Sequence, residues 1–183
     1  MEEAKLAERA RAGDTAAYER LVRMHQAVAF RAAYLVTGDA PEAEDATQEA
    51  FIKAYRAIDR FRPGAPFRPW LLTIVTNEAK NRRRSAGRRA KLSLQVAAEG
   101  QVVSAPASPE AAVVAAERRE ELLASVGELG EGERLAISYR YFLGLSEEET
   151  ATALGCARGT VKSRLSRAIA RLRKAMAKEE DAG

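Results

Sequence analysis

Apolar side chains recur every three or four residues along most of this 183-residue chain and almost nowhere alternate with polar ones. That spacing gathers them on one face of a helix, whereas a half-buried strand would need a period of two. The chain therefore reads as all-α. The clearest stripe falls within residues 15–37, where Tyr18, Leu21, Val22, Val28, Ala32, Leu35 and Val36 share a face. Asp14 or Thr15 can accept from the first free amides of that helix, and Gly38 can take the left-handed turn that ends it. Asp39 and Pro41 open a second helix, with the stripe Ala46, Phe51, Ala54, Tyr55 and Ile58. Two prolines and a glycine make residues 62–67 a loop. A third helix follows, with Pro69 in its first turn and Trp70, Leu71 and Ile74 on its core side.

The composition changes after Arg89. The next stretch is small, polar and free of aromatics, with two prolines, which is the make-up of a linker. Ser108 and Pro109 then start a helix, and a further helix ends at Gly144. The expected organisation is two small helical domains joined by a flexible linker: residues 1–89, a linker over 90–107, a second domain over 108–178 and a tail over 179–183. Each domain is small enough that its core must be modest. Net charge is +4, distributed as basic ends around an acidic middle. One cysteine, Cys156, precludes an intrachain disulfide and suggests a reducing cytoplasm. The first residues are charged throughout, unlike a signal peptide, and no apolar run approaches the ~20 residues of a membrane span.

Ser146 and Glu149 have the spacing of a capping box, and Gly155 closes the short helix they begin. A longer basic helix follows, with Val161, Leu165, Ala168, Ile169, Leu172 and Met176 on one side. A short helix, a glycine turn and a basic helix make a helix-turn-helix. Lys162, Ser163, Ser166 and Arg167 lie off the apolar stripe near the helix start, where a recognition helix meets base edges. Arg171, Arg173 and Lys174 lie further along and suit phosphates. Cys156 falls in the turn and reads as a small buried hydrophobe, with no second cysteine or histidine nearby for a metal.

In the first half, Phe61, Phe67 and Trp70 surround the proline–glycine loop. The helix after it displays Asn77, Lys80 and Asn81, then Arg82, Arg83, Arg84, Arg88 and Arg89. Aromatic rings beside a basic track suit single-stranded nucleic acid, rings for bases and charge for phosphates. Asp45, Gln48 and Glu49 form a polar patch opposite the second stripe, without Lys or Arg in it. Either a solvated face or a dock for a basic protein surface satisfies that spacing.

Three stretches, in this order, resemble the sigma-70 family of bacterial RNA polymerase initiation factors, and within it the small extracytoplasmic-function class: "EDATQEAFIKAYRAIDRFRP", "FRPWLLTIVTNEAKNRRR" and "YFLGLSEEETATALGCARGTVKSRLSRAIARLRK". The resemblance implies that Asp45, Gln48 and Glu49 dock on the coiled coil of the polymerase β′ subunit, with the β subunit a further partner. It implies −10 promoter recognition by Ala57, Phe61 and Asn77, with Lys80, Asn81, Arg83 and Arg84 beside them, and one flipped base held near the loop. It implies −35 recognition through Arg158, Lys162, Ser163, Ser166, Arg167 and Arg171. It also implies an anti-sigma factor as partner, no cofactor and no catalytic chemistry. Where this chain has Ala157, Arg158 and Thr150, the family often has a Ser or Pro, an apolar residue, and Ile or Val.

Two other readings compete. A LuxR-like regulator would share the helix-turn-helix, but its α/β receiver pattern is missing from the first half. An enzyme would need chemistry that His25, alone in a helix without a neighbouring nucleophile, does not supply.

Overall fold

The computed structural model describes residues 2–85 and 125–180. The expected linker over 90–107, the helix start at Ser108 and Pro109, and Arg88 and Arg89 lie outside the described residues. The described residues of the first unit form α1 (Glu2–Arg11), α2 (Thr15–Thr37), α3 (Ala40–Arg56), a 3-10 turn (Ile58–Arg60) and α4 (Phe67–Ser85). The second unit contains α5 (Glu131–Ile137), a π-helical turn (Ser138–Phe142), α6 (Glu147–Leu154) and α7 (Arg158–Glu180). Among the described residues there is no strand.

The helix boundaries follow the local chemistry. Asp14 Oδ1 accepts from the Ala17 amide at 3.0 Å, so Asp14 rather than Thr15 is the cap of α2. That amide and the Arg9 guanidinium hold the Asp14 carboxyl below its ordinary range. Gly38 closes α2 in the left-handed region at φ 68°, where a side chain would be strained. Asp39 caps α3 through the Glu42 amide at 3.0 Å. In α6 the capping box is complete: Ser146 Oγ accepts from the Glu149 amide at 3.1 Å, and Glu149 Oε2 accepts from the Ser146 amide at 2.8 Å.

Helices α2, α3 and α4 pack on one another around Leu21, Leu35, Leu71, Leu72 and Val75, all fully buried. Alanine fills the inner face of α3, with Ala43, Ala46, Ala50 and Ala54 fully buried. Small residues there leave no slack, so added methylenes would push the helices apart. Trp70 and Ile74, expected in the core, are only partly buried against it. In α7 the stripe Val161, Leu165, Ala168 and Leu172 is buried and Ile169 partly so. Cys156 is half-buried rather than enclosed, and its sulfur stands 3.8 Å from Arg164 Nη1.

Two features have no counterpart in the sequence reading. Helix α1 is pinned by Glu3, whose Oε1 accepts from the Arg68 amide at 3.0 Å and lies 3.3 Å from His25 Nε2. The His25 ring and the Arg68 amide hold the Glu3 carboxyl below its ordinary range, against the opposing effect of burial. His25 itself is buried, with its ring centroid 5.5 Å from that of Phe67. The second feature is the π-helical turn, where Leu143 N donates to Ser138 O five residues back, at 3.0 Å.

The two units have a defined mutual arrangement, because α4 packs against α6. Thr76 Oγ1 and Tyr139 Oη are 2.7 Å apart and both side chains are fully buried. Thr76 gives its one proton to Leu72 O at 2.6 Å, so the Tyr139 phenol is the donor to Thr76. Burial holds that phenol proton well above its ordinary range. Thr73 Oγ1 lies 3.0 Å from Thr152 O, Arg83 Nη2 pairs with Glu131 Oε1 at 2.7 Å, and the Arg68 guanidinium donates to Leu143 O.

Two substitutions test this packing. Thr150 is fully buried and its hydroxyl meets no hydrogen-bond partner, so Thr150→Val should raise stability by about 1 kcal/mol, read as a higher denaturation midpoint. A lower midpoint would show that the hydroxyl is satisfied. Tyr139→Phe leaves Thr76 without its donor and should weaken the contact between α4 and the second unit by about 1 kcal/mol. Solution scattering should then report a larger mean radius; an unchanged profile and midpoint would discount the bond.

A candidate nucleic-acid and polymerase interface in three parts

The first part is the outer face of α3. Asp45 and Gln48 are exposed and Glu49 half-exposed, on adjacent turns. The expectation of a patch without cations does not survive. Asp45 Oδ2 pairs with Arg82 Nη1 at 2.8 Å, and Glu49 Oε1 stands 3.8 Å from Lys53 Nζ, which also bonds Glu78 at 2.7 Å. Spacing within one helix cannot reveal Arg82, which arrives from α4. The patch is a mixed-charge surface whose pairs range from half-exposed, as in Asp45 with Arg82, to nearly enclosed at Glu78. Beside it a groove of about 470 Å³ runs between α2 and α3, lined by Val22, Phe30, Thr47, Gln48 and Phe51.

The second part is α4 with the loop before it. Asn77, Asn81 and Arg84 are exposed and Lys80 is half-buried, at positions that share one side of the helix. Arg83 turns away from them, toward Val36 O at 3.4 Å and Glu131. Ala57 ends α3 and is half-buried. Phe61 is 3% exposed, its ring 5.0 Å from Trp70 and 5.7 Å from Phe67. The aromatics therefore form a packed cluster rather than a row of free stacking platforms. A cavity of about 560 Å³ opens beside them, between Arg60, Phe61, Arg62 and Trp70 on one wall and Ser146, Glu148, Glu149 and Thr152 of α6 on the other. Its walls combine rings, cations and carboxylates, and the carboxylates come from the second unit.

The third part is α7. Lys162, Ser163, Ser166, Arg167 and Arg171 are all exposed along its outer side. Ser163 Oγ donates to Thr160 O at 3.0 Å, so its hydroxyl proton is engaged by its own helix. Arg158 Nε meets Glu147 Oε2 at 3.2 Å, which ties the first turns of α6 and α7 together. Arg167 and Arg171 share Glu133 of α5, whose oxygens lie 3.2 Å from Arg167 Nε and 2.9 Å from Arg171 Nη1. Glu133 carries no signal in the sequence, since a single Glu in a helix rich in charge looks like any other. Arg164 was likewise missed; it reaches across toward Cys156 and Gly132.

The three parts lie in two units, and both units have known counterparts. Residues 21–89 match the model of Sigma-70 region 2, and residues 119–172 match that of Sigma-70, region 4. The ECF RNA polymerase sigma-E factor of Escherichia coli (strain K12) is 39% identical over 171 residues, covering 89% of this chain and 88% of the relative. The RNA polymerase sigma-H factor of Pseudomonas aeruginosa is 37% identical over 178 residues, covering 94% and 92%. Among solved structures, CnrH in complex with the cytosolic domain of CnrY aligns with a TM-score of 0.71 and 26% identity, over 97% of this chain and 99% of that one. The sigma factor RpoE in complex with the anti-sigma factor NepR, from Bartonella quintana, gives 0.63 and 26%, over 87% and 96%.

Proposed function

The chain belongs to the extracytoplasmic-function class of the sigma-70 family, and on that premise we propose how its three surfaces divide the work of promoter recognition. As a sigma factor it directs core RNA polymerase to promoters, binding the −35 element and capturing the melted −10 element. The observation that carries this is the pair of region matches in order on one chain, together with 39% identity to a sigma-E factor along most of its length. A LuxR-like regulator would match only in its helix-turn-helix, so that alternative is dropped.

In this reading Asp45, Gln48 and Glu49 dock on the β′ coiled coil, and the β subunit is met as well. Asp45 and Arg82 separate as Asp45 takes a polymerase cation, a nearly even exchange at an exposed site. Asn77, Lys80, Asn81 and Arg84 face the −10 strand, with Arg83 joining them once freed from Glu131, and Ala57 and Phe61 shape the loop side. The face of Arg60, Phe61, Arg62 and Trp70, which α6 covers here, would take an extruded base once uncovered, and removing a base from the stack costs a few kcal/mol. Lys162, Ser163, Ser166, Arg167, Arg171 and, at the edge, Arg158 face the −35 duplex.

The docking of α6 on α4 adds a condition. Thr73, one turn from both Trp70 and Asn77, bonds Thr152, so the strand can lie along that face only after α6 lifts away. Polymerase, by seating the two units apart, would supply that separation. An anti-sigma factor would oppose it; the Bartonella quintana relative above is bound by a protein so named. The chain contributes no bond-making chemistry of its own, and its place of action is the cytoplasm. Among the described residues no helix is long and apolar enough to cross a membrane.

Run-off transcription with core polymerase on genomic promoter fragments tests the reading. A promoter-specific transcript should appear only when the protein is added; no transcript and no binding to core would end it. Asn77→Ala should impair −10 opening while core binding persists, and loss of core binding would refute that division of labour. Lys162→Ala should weaken −35 use by ~1–3 kcal/mol if the contact is to a base edge, measured as binding of holoenzyme to a duplex carrying that element.

A further inference from the structure

The recognition helix carries Arg167 and Arg171 one turn apart on the same side, and like charges at that spacing repel. Both side chains remain mostly exposed, 61% and 62%, while the carboxylate between them, Glu133, is only 11% exposed. A surface arginine normally samples many rotamers, and holding one costs side-chain entropy. A carboxylate anchored in the neighbouring helix and touching both guanidinium groups removes much of that freedom before DNA arrives.

The contacts leave each arginine able to recognise a base. The Glu133 carboxylate stands 3.2 Å from Arg167 Nε as an ion pair, so the two terminal nitrogens of that arginine still present a fork. It takes Nη1 of Arg171 at 2.9 Å, so the edge formed by Nε and Nη2 stays open. A guanidinium fork fits the paired acceptors of guanine in the major groove. The same carboxylate has an electrostatic cost, because a negative charge at the DNA face reduces attraction to phosphates in general. A residue that sacrifices general affinity and fixes direction acts on selectivity.

We propose that Glu133 is a positioning residue for −35 recognition, holding Arg167 and Arg171 in the orientation in which they discriminate among bases. The proposal rests on the assignment of those two arginines to the −35 element. Its test uses holoenzyme assembled from the full chain and core polymerase. Binding is measured to the promoter fragment identified by run-off transcription and to the same fragment with a scrambled −35 element.

Glu133→Gln keeps the shape and removes the charge. Discrimination between the two fragments should fall roughly three- to tenfold, while affinity for the scrambled fragment holds or rises. Glu133→Asp keeps the charge but shortens the reach, and should lose discrimination without any gain on the scrambled fragment. Both losses should vanish when Arg167 and Arg171 are already alanine. Unchanged or sharper discrimination in Glu133→Gln would overturn the proposal, as would a loss that persists undiminished in the double-alanine background. If the double-alanine protein discriminates as well as the original, the −35 assignment itself fails and takes the proposal with it. Should Glu133→Gln not fold, as read by its melting transition, Glu133→Asp carries the same comparison.

Discussion

Helix α4 has to satisfy three neighbours at once, and the rest of the molecule is arranged around that constraint. Leu71, Leu72, Val75 and Ala79 bury one side against α2 and α3. Thr76 is buried toward Tyr139 of the second unit, and Asn77, Asn81 and Arg84 remain outside. A 3.6-residue period allows such a division, since successive residues point about 100° apart. It also explains why α4 buries hydroxyls where a simple core helix would bury methyls. Thr76 donates to Leu72 O and accepts from the Tyr139 phenol, while Thr73 shares its single hydroxyl proton between Pro69 O of its own helix and Thr152 O of α6. A contact built on a few hydrogen bonds is easier to break than a large apolar one, which suits the proposed separation of the two units on polymerase. A large apolar interface would have held them permanently.

What was legible in the sequence is what local physics decides. Asp14, Asp39, Ser146 with Glu149, Gly38 and Gly155 each determine a helix end through groups a few residues away, and each acts as expected. The apolar stripes were legible because burial imposes its period on composition. Helix α1 was not, because its sequence is mostly charged and its hold depends on Glu3 meeting His25 and Arg68. Those partners are distant in sequence, so no window could join them. The π-helical turn was invisible for a related reason: its residues have ordinary helix propensities, and the wider register accompanies the burial of Tyr139 at Thr76.

The candidate site shows the same division more sharply. Which residues project from α4 and α7 could be read from their period, and Asn77, Lys162 and Ser166 are where it puts them. What each residue is bonded to could not. Asp45 faces Arg82, Arg83 faces Glu131, Arg158 faces Glu147, and Phe61 lies under Trp70. Every charged member of that set is paired across helices, so the free protein shows much less bare charge than its sequence suggests. The proposed binding surfaces are thus covered by internal pairs that a partner's charges would replace, at small net cost where both side chains are exposed.

The pairs are not equivalent, and burial separates them. Arg82 with Asp45 and Arg158 with Glu147 each leave at least one side chain well exposed to solvent, where an ion pair is worth at most about 1 kcal/mol and gives way readily. Glu133 is different because its carboxylate is nearly enclosed while its arginines are not. Removing both arginines from it would strand a buried charge, and that is far more expensive than breaking an exposed pair. In the proposed −35 role, DNA would take the outer edges of Arg167 and Arg171 with little leverage to pull the groups off Glu133. In that proposal the exposed pairs are exchangeable covers and the buried carboxylate a fixed mount, which would keep two arginines of α7 aimed before DNA arrives.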